Sequence, residues 1–527
     1  MSEKPSIGQE WAARFADLLV DEEAPEASGA DGTAVVERPL EVLTPAEMNQ
    51  ADQLTIAGGT PGAQLMERAG AAVAAVVRRH LPEGARVAIL TGPGNNGGDG
   101  FVAARVLAET GYKVTVAMLT ARERLSGDAA FAAANWTGAS RGLSPTIVDG
   151  TDLVVDAIFG AGLDRPIAAA VAKVIDAVNA SGVPVVAIDL PSGVNGRSGA
   201  VMGTAIRARE TVTFFRMKPA HLMLPGRPLC GHVTVADIGI DAASLEVIRP
   251  ATFRNLPGFW SLPPLAVDGH KYDRGHAVVV SGGPSRTGAA RLAARGALRA
   301  GAGLVTVASP ADAVAVNAAH LTAIMLLPME GAAGLSAILA DERKNAVVLG
   351  PGLGVGEPTA DLVTAALGSN ASAVLDADAL TSFAPAPDRL FAMVGSRGKP
   401  VVLTPHEGEF RALFPGVDAG DSRLDRARQA AVLTGAIVVL KGPDTVVAGP
   451  DGRATIADNA PPTLATAGSG DVLAGVVGGL LAQSMPPLEA ASAAVWLHGA
   501  AAATMGRGLI AEDLPEALPA AFARLHA

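Results

Sequence analysis

Two hydrophobic patterns alternate along most of this chain: short continuous apolar runs and longer stretches with helical spacing. Between residue 43 and about residue 241, the apolar runs predict strands at 87–90, 113–119, 153–159, 183–190, 211–215 and 232–238. Helical patterns lie between them, including 101–109 and about 167–179. Apolar runs that alternate with helices are typical of a parallel sheet covered on both faces, so we predict an α/β fold.

A second alternating series follows a proline-rich stretch, in which Pro250, Pro257, Pro263 and Pro264 lie close together. It predicts strands at 276–281, 304–308, 346–349, 373–375, 401–404 and 437–440. Proline-rich irregular sequence is typical of a domain boundary. We therefore divide the chain into an extension (1–40), a first domain (41–248), a linker (249–264) and a second domain (265–527).

The extension has its own pattern. Residues 11–20 could form a short amphipathic helix, and the acidic, Ala/Gly-rich residues 21–33 are typical of a linker. A docking helix and a disordered tail are both compatible with this sequence.

Composition narrows the function classes. Cys230 is the only cysteine, which excludes an intramolecular disulfide framework and favours a reducing compartment. The start of the chain has no secretory signal, and no uncharged apolar run approaches the roughly 18–20 residues needed to span a bilayer. A net charge of -11 disfavours a nucleic-acid partner. We predict a cytoplasmic homo-oligomer whose partners are small molecules.

The strongest chemical signal is Ala467-Gly-Ser-Gly-Asp471, which is followed at once by an apolar helical stretch. Unpaired N–H groups and the helix dipole at such a start attract a phosphate, and glycine lets it approach the backbone. Asp471 would stand beside that phosphate and take a proton from an attacking hydroxyl. The alternative is a glycine-rich turn before a buried helix.

In the first half, polar groups follow three predicted strands: the run from Thr91 to Gly100, the loop from Gly160 to Pro166, and the run from Asp189 to Gly196. In a doubly wound sheet these strand ends converge on one crevice. Asp156 lies inside an apolar strand, where it needs a partner such as a cation. Asp189 could act in acid–base chemistry, or it could cap a helix or turn.

These first-half motifs closely resemble the NAD(P)HX epimerase domain, which binds hydrated NADH or NADPH together with a potassium ion. The resemblance implies K⁺ ligands at Asn96, Asp156 and Ser192 and substrate contact by Asp189, which we prefer as the catalytic residue of the epimerase. It gives Lys218 only a weak supporting role, with an ordinary surface lysine as the alternative. The substrate contacts that it implies, besides Asp189, are Asn95, Asn96, Gly97, Gly98, Asp99, Gly160, Ala161, Gly162, Leu163, Asp164, Arg165 and Pro166.

In the second half, small or polar residues again follow predicted strands. Gly352 and Gly354 offer bare backbone to a ligand. His406 suits substrate contact, with a capping or structural histidine as the alternative. The run from Lys441 to Thr445 suits a nucleotide, with a β-hairpin turn as the alternative.

The second half resembles the ADP-dependent NAD(P)HX dehydratase, a member of the ribokinase-like fold, over residues 262–522. Together the halves resemble the bifunctional NAD(P)HX repair enzymes, which implies a Rossmann-like three-layer first domain and a ribokinase-like second domain. The resemblance implies substrate contacts at Ala289, one of Gly352 and Gly354, His406 and Asp471, with ADP as co-substrate and Mg²⁺ on its phosphates. The implied nucleotide contacts are Lys441, Gly442, Pro443, Asp444, Thr445 and Gly470.

Two other functions remain open at this point. The second domain alone would also suit an ATP-dependent kinase acting on a sugar or vitamin alcohol, because that chemistry shares the fold and the Gly-Ser-Gly-Asp run. The first domain could instead be a binding or scaffold module. The candidate site residues Asn96, Asp156, Asp189 and Ser192 are nevertheless all present.

Overall fold

The computed structural model describes residues 39–417, 420 and 422–525. The predicted helix at 11–20 and the linker at 21–33 lie outside these residues. Two separate sheets organise the described chain, one of seven strands and one of ten. Among the described helices, none is long and apolar enough to cross a membrane.

The first domain is a seven-stranded sheet in which every pair of neighbouring strands is parallel, with the order β3-β2-β1-β4-β5-β6-β7. Its strands are β1 (Arg86–Thr91), β2 (Lys113–Met118), β3 (Ala139–Gly142), β4 (Leu153–Ala157), β5 (Val185–Ile188), β6 (Glu210–Phe214) and β7 (His232–Ala236). Its helices are α1 (Pro45–Ala57), α2 (Gly62–His80), α3 (Asn95–Glu109), α4 (Gly127–Ala134), α5 (Ala169–Ser181), α6 (Arg227–Cys230) and α7 (Ser244–Ile248).

Helices cover both faces of this sheet, because alternate residues of each strand point to opposite sides. In β1, Val87 and Ile89 pack into one apolar core with α2 and α3, while Ala88 and Leu90 pack into the other with α5. The predicted Rossmann-like three-layer arrangement is confirmed. The strand order reverses between β1 and β4, and the crevice at such a switch point is where ligands bind in this architecture.

The second domain is a ten-stranded sheet with the order β11-β10-β9-β12-β13-β14-β15-β16-β17-β8. Its strands are β8 (Thr252–Arg254), β9 (His276–Val280), β10 (Leu304–Pro310), β11 (Met325–Met329), β12 (Ala346–Leu349), β13 (Ser372–Leu375), β14 (Val401–Leu403), β15 (Ile437–Leu440), β16 (Val446–Ala448) and β17 (Ala454–Ile456). The pairs β15–β16 and β16–β17 are antiparallel, and the other pairs are parallel.

Helices again lie on both faces of the second sheet, so the predicted α/β fold class is confirmed for both domains. Val348 of β12 belongs to one apolar core, and its neighbours Val347 and Leu349 belong to the other. The helices are α8 (Gly288–Arg299), α9 (Val314–Ala318), α10 (Gly331–Leu339), α11 (Glu357–Leu367), α12 (Asp378–Thr381), α13 (Pro387–Gly395), α14 (Glu407–Leu413), α15 (Arg423–Thr434), α16 (Ser469–Ala482), α17 (Pro487–Met505) and α18 (Asp513–Ala523).

Several segments differ from the sequence prediction, which has no counterpart for strands β3, β11, β16 and β17. The helix predicted at 101–109 begins at Asn95, so the run Asn95–Gly100 forms its first turns instead of a loop before it. The stretch predicted as a linker contributes β8, which pairs with β17 at the edge of the second sheet. The two halves also pack together, because Leu222 and Met223 of the first half are buried in the core of the second.

Candidate active sites

The first site is a cavity of about 840 Å³ at the switch point of the first sheet. Among the residues predicted to contact substrate, Asn95, Asn96, Asp99, the whole loop 160–166 and Asp189 line it. The start of α3 forms part of its wall, and no side chain caps that helix. The free N–H groups of the first turn can therefore bind an anionic group of a ligand.

Gly97 and Gly98 do not line this cavity, and they serve the packing of α3 instead. A Cβ atom on Gly97 would lie 2.1 Å from the carbonyl oxygen of Gly92, and one on Gly98 would lie 2.5 Å from the Met66 side chain. These two glycines let the helix approach its neighbours closely, so the substrate contact predicted for them has no support in the geometry.

Gly97→Ala should therefore destabilise the first domain by about 1–3 kcal/mol, the usual cost of overpacking. Gly288→Ala is the matched control, because Gly288 is also in the first turn of a helix but has no atom within 4 Å of the place that a Cβ would take. Denaturant unfolding of the two variants measures the difference. Equal stability of Gly97→Ala and wild type would contradict the packing role.

Among the carboxylates that line the cavity, Asp189 has the most hydrogen-bond and ion-pair partners. Its Oδ2 accepts a hydrogen bond from the N–H of Ala161 at 2.9 Å, and its Oδ1 lies 2.7 Å from Lys218 Nζ and 3.0 Å from Thr213 Oγ1. Burial opposes ionisation, but the Lys218 ammonium and these hydrogen bonds outweigh it and lower the pKa of Asp189 to about 2. Its side chain keeps 18% exposure.

Lys218 is therefore not a surface residue, and that alternative interpretation is wrong. Its side chain is 1% exposed, and its ammonium also donates to Thr213 Oγ1 at 2.8 Å. His221 is hydrogen-bonded to the backbone of both Lys218 and Asp189. Its Nδ1 accepts from the N–H of Lys218 at 2.8 Å, so its Nε2 donates to the carbonyl oxygen of Asp189, also at 2.8 Å. Burial, with Lys218 nearby, lowers the pKa of His221 to about 4, so the ring is neutral.

Two of the three predicted potassium ligands lie side by side. Asp156 is fully buried and accepts hydrogen bonds from Ser192 Oγ at 2.6 Å, from Ser192 N at 2.7 Å and from Ile158 N at 3.3 Å. Burial raises the pKa of Asp156 to about 6 although Ser192 opposes the shift. Protein groups thus supply hydrogen bonds to the buried Asp156 carboxylate. Its burial does not by itself require a cation.

Asn96 reaches the same region from α3. A Cβ atom on Gly160 would lie 3.1 Å from Asn96 Oδ1 and 3.0 Å from Asp189 Oδ2, so the two side chains converge at that glycine. Phe159, the residue before it, donates its N–H to Ser192 Oγ at 2.9 Å. The Asn96 amide nitrogen has no hydrogen-bond partner among the described residues. These oxygens suit a hard cation, and the unpaired amide suits a polar ligand.

The second site lies where strands β13, β14 and β15 end and helix α16 begins. Gly468 precedes that helix with φ of +86°, and no side chain caps the first turn. Only glycine adopts this left-handed backbone conformation without strain. No side chain caps the first turn, so its amides can bind an anionic group, as the sequence predicts.

Asp471 lies in the first turn of α16 and is partly buried. Burial raises its pKa to about 6; the negative charges of Asp376 and Asp378 add to the shift, and Lys441 opposes it. A carboxylate whose pKa lies close to the surrounding pH is well matched to accepting a proton near neutrality.

Lys441 stands opposite Asp471 across the start of the helix. Its Nζ lies 2.6 Å from Asp376 Oδ1 and 3.9 Å from Glu409 Oε2, and a Cβ atom on Gly470 would lie 3.4 Å from it. The ammonium therefore faces the amide groups that would hold a phosphate. Burial lowers the pKa of Lys441, but Asp376 and Glu409 outweigh it and raise the value, so the side chain stays charged.

The structure gives different surroundings to the other residues that were predicted to contact substrate in the second site. His406 caps helix α14, and its Nδ1 accepts from the N–H groups of Gly408 and Glu409, so the capping interpretation is confirmed. A Cβ atom on Gly352 would lie 3.6 Å from the Ala289 side chain, whereas one on Gly354 would face the Arg286 guanidinium at 3.0 Å.

The run from Lys441 to Thr445 joins the antiparallel strands β15 and β16, so the hairpin interpretation is confirmed. Thr445 Oγ1 closes the turn by donating to the carbonyl oxygen of Gly442 at 2.7 Å. The Asp444 side chain is buried against the first half, where Oδ2 accepts from the N–H of Leu224 at 2.9 Å and Oδ1 lies 3.2 Å from Arg423 Nε. Its carboxylate is therefore not available to a nucleotide, which corrects that part of the prediction.

Sequence reasoning missed three carboxylates. Asp376 and Glu409 follow strand ends in the second domain, which is the same signal that identified Asp189. Asp52, on α1, lines the first cavity, and nothing in its sequence context marks it. The described residues contain no group of three or more His, Cys, Asp or Glu side chains that could hold a metal ion.

Comparison with known proteins gives a consistent result for both halves. Residues 277–519 match the family described as NAD(P)H-hydrate dehydratase, and residues 62–220 match the YjeF-related protein N-terminus family. A chain of the ADP/ATP-dependent NAD(P)H-hydrate dehydratase from Bacillus subtilis, crystallised with ATP and Mg²⁺, is 29% identical, with a TM-score of 0.44; the match covers 50% of this chain and 95% of that chain.

Full-length relatives cover nearly the whole molecule. The bifunctional NAD(P)H-hydrate repair enzyme Nnr of Salinibacter ruber is 37% identical over 91% of this chain and 95% of its own length. The enzyme of the same name from Moorella thermoacetica is 38% identical over 91% and 96%. These matches favour repair chemistry over the kinase and the scaffold alternatives. The chain belongs to the family of bifunctional NAD(P)H-hydrate repair enzymes, which confirms the predicted pair of isomerase and lyase activities.

Proposed function

We propose the following division of roles within this repair enzyme. The first domain interconverts the R and S forms of NADH or NADPH that is hydrated at C6, and Asp189 acts at that carbon. The second domain removes the hydroxyl from the S form with ADP as co-substrate, and Asp471 is the base. The observation that carries the proposal is Asp471 in an uncapped helix start that faces the Lys441 ammonium.

The C6 hydroxyl is a poor leaving group, so the dehydratase reaction must first convert it into a better one. Asp471 takes the proton of the C6 hydroxyl while its oxygen attacks the β-phosphorus of ADP, which releases AMP and forms a phosphate ester at C6. The amides of the Gly468–Gly470 turn and the Lys441 ammonium stabilise charge on the transferred group. The ester then leaves as phosphate as N1 donates its electron pair, and loss of a proton from C5 restores NAD(P)H.

We assign the substrate and nucleotide contacts of the second domain as follows. Ala289, Gly352 and His406 would contact the hydrated cofactor; we choose Gly352 over Gly354 because it faces Ala289. Gly470 and the backbone of residues 441–445 would contact ADP. Mg²⁺ on the ADP phosphates would reduce their negative charge.

In the first domain, Asn96, Asp156 and Ser192 would hold K⁺. Their oxygen donors fit this ion, and a potassium charge would offset the buried Asp156 carboxylate. The free amides at the start of α3 and the Arg165 side chain would hold the phosphates of the cofactor. Asp189 would then remain ionised at the edge of the nicotinamide site.

Product analysis tests the dehydratase proposal. Hydrated NADH and ADP should give NADH, AMP and phosphate in equal amounts, as followed by chromatography of the nucleotides. ADP that is consumed without NADH formation, or NADH formation without AMP, would contradict the phosphate-ester route.

The pH dependence of dehydration gives an independent test of Asp471. Because the base must be ionised and the pKa of Asp471 is raised to about 6, kcat/KM should rise with pH through that value and level off above it. Steady-state rates between pH 5 and 8, with the enzyme's stability checked at each pH, measure the profile. A rate that falls as pH rises through 6 would contradict the role.

A further inference from the structure

Asp52 differs from Asp189, the other carboxylate considered at this end of the first cavity, in having no fixed partner. It lies on α1, its side chain is partly exposed, and it lines the same cavity as Asp189. No described residue donates a hydrogen bond to it, whereas Asp189 is held by Ala161, Thr213 and Lys218. A carboxyl group without a fixed partner can exchange a proton with a ligand.

The charge of the cavity favours one type of intermediate. The cavity wall holds the ionised carboxylate of Asp189 near two carboxyl groups whose pKa is raised by burial, Asp52 and Asp99. Loss of the C6 hydroxyl leaves a cation shared between N1 and C6, which a negative surrounding stabilises. Opening the ring would instead break the N1–C6 bond, turn C6 into an aldehyde and place negative charge on N1, which a nearby carboxylate destabilises.

We propose that Asp52 is a second catalytic residue of the epimerase, which protonates the C6 hydroxyl as it leaves. This inference rests on the proposed epimerase function. The C6–O bond breaks, the oxygen departs as water with the Asp52 proton, and the N1 electron pair forms the N1=C6 bond. A second water then bonds to the opposite face of C6, its proton passes to Asp189, and the electron pair returns to N1.

The reverse direction uses the same groups in exchanged roles. Asp189 returns the proton to the hydroxyl that leaves its side, and Asp52 accepts the proton of the incoming water. Two carboxyl groups on separate elements, α1 and the end of β5, can serve opposite faces of a ring held between them. Their environments also separate their protonation states: burial, with Asp189 nearby and Lys218 opposing, raises the pKa of Asp52 to about 6, while Asp189 stays ionised.

Isotope exchange tests the chemical path with the unmodified protein. Epimerisation of the R form in H₂¹⁸O should place ¹⁸O at C6 of every S molecule that the enzyme forms, as read by mass spectrometry after subtraction of an enzyme-free control. S product that keeps its ¹⁶O would show that the ring opens and closes without loss of the hydroxyl, and it would overturn the proposal.

Asp52→Asn tests the residue. We expect epimerisation to fall at least about a hundredfold, the scale of a lost general acid, while dehydration of the S form by the same preparation stays unchanged and reports correct folding. Asp128→Asn, which also removes one carboxylate from the cavity wall, is the matched control and should epimerise like wild type. Normal epimerisation by Asp52→Asn, or an equal loss in Asp128→Asn, would overturn the assignment. Absence of epimerisation in wild type would instead refute the proposed function itself.

Discussion

Asp471→Asn is expected to lose at least about a hundredfold in the rate of ADP-dependent dehydration, because no other carboxylate occupies the first turn of α16. The amide of asparagine keeps the size of the side chain but cannot accept the hydroxyl proton. ADP should still bind, since the contacts that we propose for it lie on the α16 amides and on the 441–445 turn. Single-turnover rates and ADP titration calorimetry measure the two effects separately.

Asp388→Asn is the control for this variant. Asp388 also lies in the first turn of a helix, α13, but it is exposed to solvent and has no part in the proposed site. It should dehydrate substrate at the wild-type rate. A dehydration rate for Asp471→Asn within tenfold of wild type would mean that another group accepts the proton.

Lys218→Met is expected to abolish epimerisation and to destabilise the first domain by about 3–5 kcal/mol, the usual effect of removing one partner of a buried ion pair. The Lys218 side chain is 1% exposed, and its removal leaves the Asp189 carboxylate without its counter-charge. Denaturant unfolding and the rate of R-to-S conversion measure the two losses. Lys173→Met, at an exposed position of α5, should change neither.

The sign of the pH effect distinguishes a lost ion pair from lost packing. The pKa of Asp189 is lowered to about 2, below the ordinary value near 4 that it regains on unfolding. The pair therefore contributes its full stability above about pH 4 and loses it as the pH falls towards 2. The stability difference between wild type and Lys218→Met should narrow over that range. A constant difference would indicate that only packing was lost.

Continuous apolar runs were enough to predict the central strands of both sheets, because strands buried on both faces carry that pattern directly. Most peripheral strands escaped prediction, although β7, at one edge of the first sheet, was predicted. All four residues of β3, for example, are exposed and polar or small, and β8 lies within a proline-rich stretch. Such strands are defined by pairing with a neighbour that is distant in sequence, which no local pattern contains.

The residues of the two sites also divide into those that the sequence could identify and those that only the fold reveals. Asp189 and Asp471 were identifiable because each follows a recognisable run at a predicted strand end or helix start. Lys218 was not, since only the fold reveals that a lysine after β6 turns inwards to meet Asp189. Gly97 was assigned to the ligand because sequence cannot separate a glycine that admits a ligand from one that admits a neighbouring backbone.

Asp52 illustrates a further limit. On sequence alone it is an ordinary acidic residue, and only the cavity shows that α1 brings it to the same space as Asp189 and Lys218. A residue whose role depends on three separate elements meeting in one place has no signature in its own segment.

Recovery of absorbance near 340 nm from an equal mixture of R and S hydrated NADH, with ADP supplied, tests the central claim most directly. Wild type should restore NADH from both forms, and Asp471→Asn from neither. Asp189→Asn should restore the S form rapidly and the R form only as fast as it epimerises without enzyme. Full rapid recovery by either variant, or no ADP-dependent recovery by wild type, would contradict the account.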